Sequence, residues 1–290
     1  MKPAPFYYHC PRSLDDTLAL LHELQEDDAK VLAGGQSLVP MLNMRLARVK
    51  NLIDINRISE MDYVRVVDGS LAIGALTRHR TLERSAEVAS RVPLMAEALP
   101  EVGDRQVRFR GTVGGSLAHA DPAAELPTIA TALDAEMIIG RHGARRSVTA
   151  TDFFQSVLTT VLEPDELLLE IRFPAPPPHS GHAFLELSRQ RGTFAIVSAA
   201  AVVSLEEGRI SSARLALGGV GVTPFRARAA EESLRGQTPG AEAFAEAGRL
   251  AAGETDPSSD VHGSDQYRKE MASLYAQRAL DLAARRAAAV

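Results

Sequence analysis

The stretch VLAGGQSLVPMLNMRL, residues 31–46, joins a short apolar segment to a run with helical spacing through two adjacent glycines. Two glycines in a row lose backbone entropy on folding and bury no side chain, so something must require the bare backbone. Glycine can adopt positive φ, and successive N–H groups in such a turn form a concavity that binds anions. Gln36 and Ser37 add short polar side chains, and Pro40 suits the first turn of the next helix. The stretch predicts a strand, a phosphate-binding turn and a helix.

A second glycine pair lies in TVGGSLAHAD, residues 112–121, where Thr112 and Ser116 bracket Gly114 and Gly115. Neither pair belongs to the Gly-x-Gly-x-x-Gly of a Rossmann unit or to a Gly-x-x-x-x-Gly-Lys-Ser/Thr P-loop. Either pair alone could be only a tight turn. Two such pairs, each after a strand-like run, instead predict a diphosphate ligand held from two sides, with positive φ expected at Gly115 as in the first turn.

Periodicity and turn residues predict the elements around these turns. Ser13 can cap a helix whose apolar residues recur at helical spacing from Leu14 onward. Asp68-Gly69 predicts the turn of one β-hairpin, and Glu207-Gly208 predicts that of another. The segment DELLLEIRFP, residues 165–174, is typical of a buried strand.

The proline cluster from Pro174 to Pro178 is the best candidate for a domain boundary, because proline cannot continue a hydrogen-bonded ladder. An α/β half thus precedes an α+β half. The C-terminal segment is predicted to be a helix with Tyr267, Met271, Leu274 and Leu282 on its apolar face.

Composition and charge exclude several classes of protein. The chain has 290 residues, of which 45% are apolar, and a formal net charge of −5, which disfavours a nucleic-acid partner. It contains no apolar stretch long enough to span a bilayer, and its first residues lack a signal-peptide core, so we expect a cytoplasmic protein without an integral membrane segment. The one cysteine, Cys10, excludes an internal disulfide and an iron–sulfur cluster held by this chain alone. Beside His9 it could be a reactive thiol or a flavin attachment point, but a packed thiol is the simpler interpretation.

Few side chains offer acid–base, nucleophilic or metal chemistry. The histidines and carboxylates show no metal spacing such as His-Glu-x-x-His, and no serine lies in a Gly-x-Ser-x-Gly elbow, so we assign no metal ligand and no catalytic residue. Asp121-Pro122 suits a helix start with Asp121 as the cap, and a direct ligand role for Asp121 stays open. His119 is either a structural histidine or a proton shuttle. Such a protein would leave the chemistry to a bound cofactor.

Three stretches resemble the signature segments of one family. They are AGGQSLVPMLNMRL, TVGGSLAHADPAAELP and LSRQRGTFAIVSAAA, which follow each other in the expected order along the whole chain. The chain is similar in these segments to the FAD-binding medium subunits of molybdenum hydroxylases, the family of the carbon monoxide, xanthine and nicotine dehydrogenase flavoproteins.

This resemblance implies an α+β fold. A vanillyl-alcohol-oxidase (PCMH)-type FAD-binding domain of two α/β subdomains would precede a smaller C-terminal domain with a three-stranded antiparallel sheet and helices. We expect the FAD-binding domain to span residues 1–175, with subdomains of about 1–56 and 57–175, and the C-terminal domain to span residues 176–290.

The resemblance also implies a set of cofactor-binding residues. Residues 33–38 would hold the FAD pyrophosphate, and the second glycine segment would hold the phosphate and ribityl region. Glu125 stands where a carboxylate contacts the cofactor in the family, and Leu168 matches an apolar position near the flavin ring. The full set is Leu32, Ala33, Gly34, Gly35, Gln36, Ser37, Leu38, Val102, Thr112, Gly114, Gly115, Ser116, Ala120, Asp121, Glu125, Leu168 and Glu186.

The implied function is that of an electron-transfer subunit with one non-covalent FAD. A large partner would carry molybdopterin, a small partner would carry [2Fe-2S] clusters, and the whole would be a dimer of heterotrimers. Two departures put the redox tuning of the flavin in question: Gly192-Thr193 replaces a Gly-Asp found in many relatives, and Glu186 or a neighbour matches a lysine found in some. Two alternatives are a self-contained flavin oxidase or dehydrogenase of the same fold and a non-catalytic assembly subunit.

Overall fold

A computed structural model describes residues 2–289, and their N-terminal part is a small parallel sheet with two helices. Its elements in chain order are β1 (Tyr7–His9), α1 (Leu14–Glu23), β2 (Ala29–Leu32), α2 (Leu38–Asn43) and β3 (Asn51–Asp54). The strand order is β1-β3-β2, and both pairings are parallel. The hydroxyl of Ser13 caps α1 as predicted, because it accepts a hydrogen bond from the N–H of Asp16 at 3.1 Å. Since β2 and β3 are parallel, their carboxyl ends lie at the same edge of the sheet.

An antiparallel sheet with a group of short helices follows. The elements are β4 (Val64–Val67), β5 (Ser70–Gly74), α3 (His79–Glu83), α4 (Ala86–Arg91), α5 (Pro93–Ala98), α6 (Arg105–Arg110), α7 (Val113–His119), α8 (Glu125–Ala132), β6 (Glu136–Arg141), β7 (Ala144–Thr149), α9 (Ala150–Phe153), β8 (Phe154–Ser156), β9 (Thr159–Thr160) and β10 (Leu167–Phe173). Five strands form one sheet in the order β4-β5-β10-β6-β7. The turn of the β4–β5 hairpin has positive φ at both Asp68 and Gly69, as predicted. The predicted strand within residues 165–174 is β10, the central strand of the sheet.

The C-terminal part is a second antiparallel sheet covered by helices. Its elements are β11 (Ser180–Leu187), β12 (Val197–Glu206), β13 (Arg209–Gly218), β14 (Phe225–Arg226), α10 (Arg228–Leu234), α11 (Ala241–Gly253) and α12 (Asp265–Ala287). Three long strands match the expected three-stranded sheet, and a fourth strand of two residues is added at the edge through the pairing of Ala216 with Arg226. The predicted turn at Glu207-Gly208 joins β12 to β13. Among residues 2–289, no helix combines the length and the apolar character needed to cross a membrane.

Helix α8 connects the two sheets. All eight of its residues are buried, and it packs against α7 and α5 on one side and against β12 and β13 on the other. Between β13 and the α7–α8 connection, the N–H of Gly219 donates a hydrogen bond to the carbonyl of Pro122 at 2.8 Å. The segment after the second glycine pair is therefore held by both parts of the chain.

The prediction for the apolar face of α12 was correct only in part. Met271 and Leu282 are partly buried and pack against the C-terminal core, whereas Leu274 is only partly buried and Tyr267 is exposed. The helix instead buries small residues, because it lies so close to β11 that a Cβ built on Gly181 would stand 2.1 Å from the carbonyl oxygen of Ala283. The buried residues of this face are Ala272, Ala276, Ala279, Leu280, Ala283, Ala284 and Ala287, together with Arg268.

Candidate functional site

The first glycine turn connects the end of β2 to the start of α2. Gly35 has φ +74°, a conformation that residues with a side chain rarely adopt. The prediction that this turn requires glycine is therefore confirmed at position 35. The N–H groups of residues 34–37 donate to no other group among the described residues. The side chain of Ser37 does not cap α2, and Gln36 is exposed. The first turn thus offers four free backbone amides and two polar side chains, which are the groups that an anion site requires.

The second glycine pair differs from the prediction. Gly114 and Gly115 lie inside α7, so Gly115 has helical backbone and the expected positive φ was wrong. The amides of this segment are also already in use: the N–H of Gly114 donates to the carbonyl of Ala75 at 2.9 Å, and the N–H of Gly115 donates to Thr112 Oγ1 at 3.0 Å. Thr112 is therefore a helix cap, and the hydroxyl of Ser116 is the polar group of this segment that stays free for a ligand.

The structure brings the two glycine segments together. A Cβ built on Gly34 would lie 2.4 Å from the carbonyl oxygen of Arg110 and 2.9 Å from the Cα of Gly111. A Cβ built on Gly115 would lie 3.8 Å from the Cβ of Ala33. Only glycine at position 34 permits this approach, so one member of each predicted pair belongs to a single contact between the segments.

The connection from α7 to α8 corrects the prediction for Asp121. Helix α8 begins at Glu125 with Ala124 as its N-cap, so Asp121-Pro122 does not start it. Asp121 Oδ1 instead accepts a hydrogen bond from the N–H of Ala123 at 2.9 Å and closes a turn two residues ahead of itself. Ala120, which ends α7, has φ +53°. His119 lies in the last turn of α7, and burial lowers its pKa.

Two buried carboxyl groups follow this connection. Glu125 is 5% exposed, and burial followed by the nearby charges of Asp121 and Glu101 raises its pKa to about 7. Both carboxyl oxygens of Glu186 on β11 are buried without a hydrogen-bond partner among residues 2–289. Burial and the negative charge of Glu125 raise the pKa of Glu186 to about 8. A carboxyl group in this state holds its proton near neutral pH and can donate it.

The apolar members of the predicted set lie in packed positions. Leu168 is buried on β10 opposite Ile139, and Val102 is buried directly after the short 3-10 helix Leu99–Glu101. Leu32 and Leu38 flank the first turn and pack on a small apolar cluster of Leu42, Val49 and Leu52. The contacts among described residues join Ala33 to Gly115, and they show Glu186 near Glu125; Leu168 lies in the buried cluster against which Ala33 packs.

Two polar residues at the site were missed by the sequence analysis. Asn56 Nδ2 donates a hydrogen bond to the carbonyl oxygen of Ala33 at 2.7 Å, and Arg78 Nη1 donates one to the carbonyl oxygen of Arg110 at 2.5 Å. The signal for Asn56 was available: it follows β3, and a polar residue after a strand that is parallel to β2 must lie beside the turn that follows β2. For Arg78 no local signal exists, because its partners are contributed by distant segments.

The free amides and the bare backbone of the first turn fit a phosphate group, and the comparisons with known proteins name the ligand. Residues 4–176 match the model of the FAD binding domain in molybdopterin dehydrogenase, and residues 182–283 match that of the CO dehydrogenase flavoprotein C-terminal domain. The chain belongs to the FAD-binding medium subunits of molybdenum hydroxylases. Its cofactor is FAD, and both the fold class and the resemblance stated from the three motifs are confirmed.

Relatives of this family match along the full length of the chain. The alpha subunit of the 6-hydroxypseudooxynicotine dehydrogenase complex of Paenarthrobacter nicotinovorans is 41% identical over 288 residues, which are 99% of this chain and 97% of that protein. The beta subunit of caffeine dehydrogenase from Pseudomonas sp. (strain CBB1) is 40% identical over 99% of this chain and 97% of its own length. A structure of carbon monoxide dehydrogenase from Hydrogenophaga pseudoflava superposes with a TM-score of 0.96, at 40% identity and 99% coverage of both chains. The medium FAD subunit is thus part of an oxidoreductase.

Proposed function

We propose that this chain is the electron-transfer subunit of a heterotrimeric molybdenum hydroxylase. When bound, FAD supplies an isoalloxazine ring that takes up and releases electrons. Those electrons come from iron–sulfur clusters on a small partner, after a large molybdopterin-binding partner has oxidised the substrate, and they leave to an external acceptor. The complex is a dimer of heterotrimers in the cytoplasm. The chain divides near residue 175 into the FAD-binding domain and the C-terminal domain.

The first glycine turn is the observation that carries this proposal. Its four unpaired N–H groups can give a diphosphate several hydrogen bonds at once, and glycine at position 35 allows the φ of +74° that the turn requires. Ser37 and Gln36 add polar side chains at the same place, and Ser116 adds a hydroxyl from the second segment. A hydrogen bond from a neutral amide to an ionised phosphate is about twice as strong as one between neutral groups. The turn therefore binds the pyrophosphate of FAD.

The remaining predicted residues lie further along the cofactor in this proposal. Leu168 and Val102 supply apolar surface to the flavin ring, and Glu125 and Glu186 place two buried carboxyl groups with raised pKa values at its polar edge. Glu186, with a pKa of about 8, keeps its proton at neutral pH and can donate a hydrogen bond to a cofactor atom.

The division of cofactors among subunits follows from the cysteine count. Iron–sulfur clusters take four ligands that are mostly thiolates, and this chain has one cysteine, Cys10. Among residues 2–289, no three histidine, cysteine or acidic side chains lie close enough to hold a metal ion. Electrons that reach FAD from a cluster must therefore come from another chain.

Anaerobic bleaching of the flavin absorption band tests the proposal. The purified chain should be reduced by dithionite but by no candidate heteroaromatic substrate and not by carbon monoxide. Adding both partner subunits should restore substrate-dependent bleaching, and omitting either should abolish it. Bleaching of the single chain by a substrate would instead show a self-contained flavin dehydrogenase.

The form of the attachment can be tested on the same sample. Acid precipitation should leave the yellow colour in the supernatant, because Cys10 and His9 lie on the N-terminal strand and its extension, and His9 Nε2 is already within 3.0 Å of Asn51 Oδ1. Colour that stays on the precipitated protein would show a covalent flavin.

A further inference from the structure

We infer that Asn56 and Arg78 are positioning residues that hold the two glycine segments together and thereby set the affinity for FAD. This inference rests on the proposed role of the first turn in binding the pyrophosphate. It concerns a chain of hydrogen bonds that joins five separate segments of the N-terminal half. We call this chain the polar clamp; it consists of Tyr8, Asp54, Asn56 and Arg78 with the carbonyl oxygens of Ala33 and Arg110.

The first half of the polar clamp fixes the first turn. Asp54 Oδ1 accepts hydrogen bonds from the N–H and the Nδ2 of Asn56, at 2.9 and 2.6 Å, and so sets the orientation of the amide. The same Nδ2 donates to the carbonyl oxygen of Ala33 at 2.7 Å, directly before Gly34. The hydroxyl of Tyr8 on β1 donates to Asp54 Oδ2 at 2.6 Å. The position of the turn thus depends on side chains from β1 and from the end of β3.

The second half of the polar clamp connects Asn56 to the second glycine segment. Arg78 Nη2 donates to Asn56 Oδ1 at 2.6 Å, and Arg78 Nη1 donates to the carbonyl oxygen of Arg110 at 2.5 Å. That carbonyl is also the atom against which the Cα of Gly34 packs. The guanidinium therefore acts at the contact between the two glycine segments.

The backbone around Arg78 keeps it in this place. Residues 77–79 run antiparallel to residues 111–113: the N–H of His79 donates to the carbonyl of Gly111, and the N–H of Val113 donates to the carbonyl of Thr77, both at 3.0 Å. A planar guanidinium can reach two acceptors in different directions at once, whereas an ammonium group is a point charge at the end of a flexible stem. The geometry requires an arginine and not merely a positive charge.

The polar clamp acts on binding because the free amides of the first turn are not held by bonds of their own. Without Asn56 and Arg78, residues 33–37 would sample other conformations, and only a fraction of them would present the amides to one diphosphate. The apparent affinity falls by that fraction. The loss is thus a loss of preorganisation, with no direct contact to FAD needed.

Titration of FAD into the flavin-free full chain, followed by flavin fluorescence, tests the inference. Arg78→Gln and Asn56→Ala should each raise the Kd for FAD by about 10- to 100-fold, the range for a lost hydrogen bond to a charged or buried group. Arg78→Lys should recover less than half of that loss on a logarithmic scale. Tyr8→Phe, at the outer end, should change the Kd by less than about threefold. The matched control is Arg91→Gln, which removes an exposed arginine at the end of α4.

The double variant of Asn56→Ala and Arg78→Gln decides between one device and two separate contacts. Residues of one hydrogen-bonded network give non-additive effects, so the double variant should bind about as weakly as the weaker single variant. Additive losses would overturn the inference. Wild-type affinity in Arg78→Lys would also overturn it and would show that Arg78 acts through its charge alone. Thermal unfolding of each flavin-free variant identifies those that do not fold. If Arg78→Gln or Asn56→Ala does not fold, the conservative variant Arg78→Lys or Asn56→Asp is titrated in its place. If the wild-type chain itself binds no FAD, the proposed function fails and the inference fails with it; if the wild type binds FAD and neither single variant binds it more weakly, the inference alone fails.

Discussion

Gly34-Gly35 and Gly114-Gly115 are the same dipeptide, and a short polar residue follows each of them, yet the two pairs have different roles in the structure. The first pair lies in a turn with positive φ at Gly35 and free amides, while the second pair lies inside α7 with its amides bonded to Ala75 and Thr112. The first pair thus leaves backbone amides free for a ligand, and the second pair allows α7 to pack closely against Ala75. A glycine pair in a sequence indicates bare backbone, but only the neighbouring segments decide what fills the space.

This difference predicts that the largest effect on folding belongs to the second pair. A Cβ on Gly114 would lie 2.4 Å from the Cβ of Ala75 and 2.7 Å from its carbonyl oxygen, and neither atom can move without shifting β5 or its extension. Gly114→Ala should therefore destabilise the chain by about 3 kcal/mol in urea unfolding, with or without FAD. The control is Gly253→Ala in α11, where no atom lies within 4 Å and the change should be neutral or stabilising. Equal stability of both variants would contradict the packing role.

The first pair should show the opposite division between folding and binding. Gly35→Val places a β-branched residue at φ +74°, with a strain on the order of 1–3 kcal/mol, and its Cβ would stand 3.0 Å from Val39. We expect a folded chain that binds FAD weakly or not at all in the fluorescence titration. Gly143→Val is the matched control, because it has φ +75° with no atom within 4 Å and lies in the β6–β7 hairpin. If both variants keep wild-type flavin content, the first turn is structural only.

Gly115 should give a smaller effect that depends on Thr112. A Cβ at Gly115 would lie 2.7 Å from Thr112 Oγ1, so Gly115→Ala displaces the hydroxyl that caps α7. The loss of an N-cap costs about 1 kcal/mol, and Thr112→Val should cost a similar amount in urea unfolding. The double variant should be no less stable than the worse single variant, since both remove one interaction. A fully additive result would show that Gly115 has a function of its own.

The comparison also shows how far sequence patterns reached. The Asp68-Gly69 and Glu207-Gly208 turns, the cap at Ser13 and the central strand β10 were predicted because each depends on residues close together in the chain. The buried face of α12 was predicted only in part: Met271 and Leu282 pack against the core, but the fully buried residues are mostly alanines, which the close approach to Gly181 requires. The expected positive φ at Gly115 was wrong for a local reason, because Thr112 caps a helix that already contains Gly115.

Site residues followed the same rule. Residues 33–38 and 112–116 could be named because glycine pairs are visible in the sequence. The atoms through which the two segments touch could be seen only in the structure. Asn56 could have been named from its place after β3, whereas Arg78 was missed because its role depends on a carbonyl group of Arg110 that carries no sequence signal. Backbone acceptors are present at every position, so composition cannot point to them.

The two glycine segments differ finally in their acidic surroundings, and this gives the smallest expected effect. The second segment leads to Glu125, which is buried, and across from it lies Glu186, whose pKa burial raises to about 8 from its ordinary value of 4.5. In the unfolded chain Glu186 is ionised above pH 5, whereas in the folded chain it keeps its proton, so the folded state binds more protons. Stability must then fall as pH rises from about 5 to about 8. Replacing Glu186 by glutamine removes this dependence and keeps the shape of the side chain.

Thermal unfolding of the Glu186→Gln variant and of the wild type from about pH 4.5 to about pH 9 measures this. We expect the variant and the wild type to unfold at similar temperatures at low pH, and the variant to gain about 2–5 °C over the wild type above pH 8. Glu206→Gln, an exposed change at the end of β12, should follow the wild type at every pH. The measurement is made with and without FAD. A cofactor atom that accepts a hydrogen bond from the protonated carboxyl group of Glu186 would raise its pKa further, and the unfolding temperatures of variant and wild type would then separate at a higher pH. A pH profile that Glu186→Gln leaves unchanged would show that Glu186 is already ionised at neutral pH, and its proton could then serve neither the fold nor the flavin.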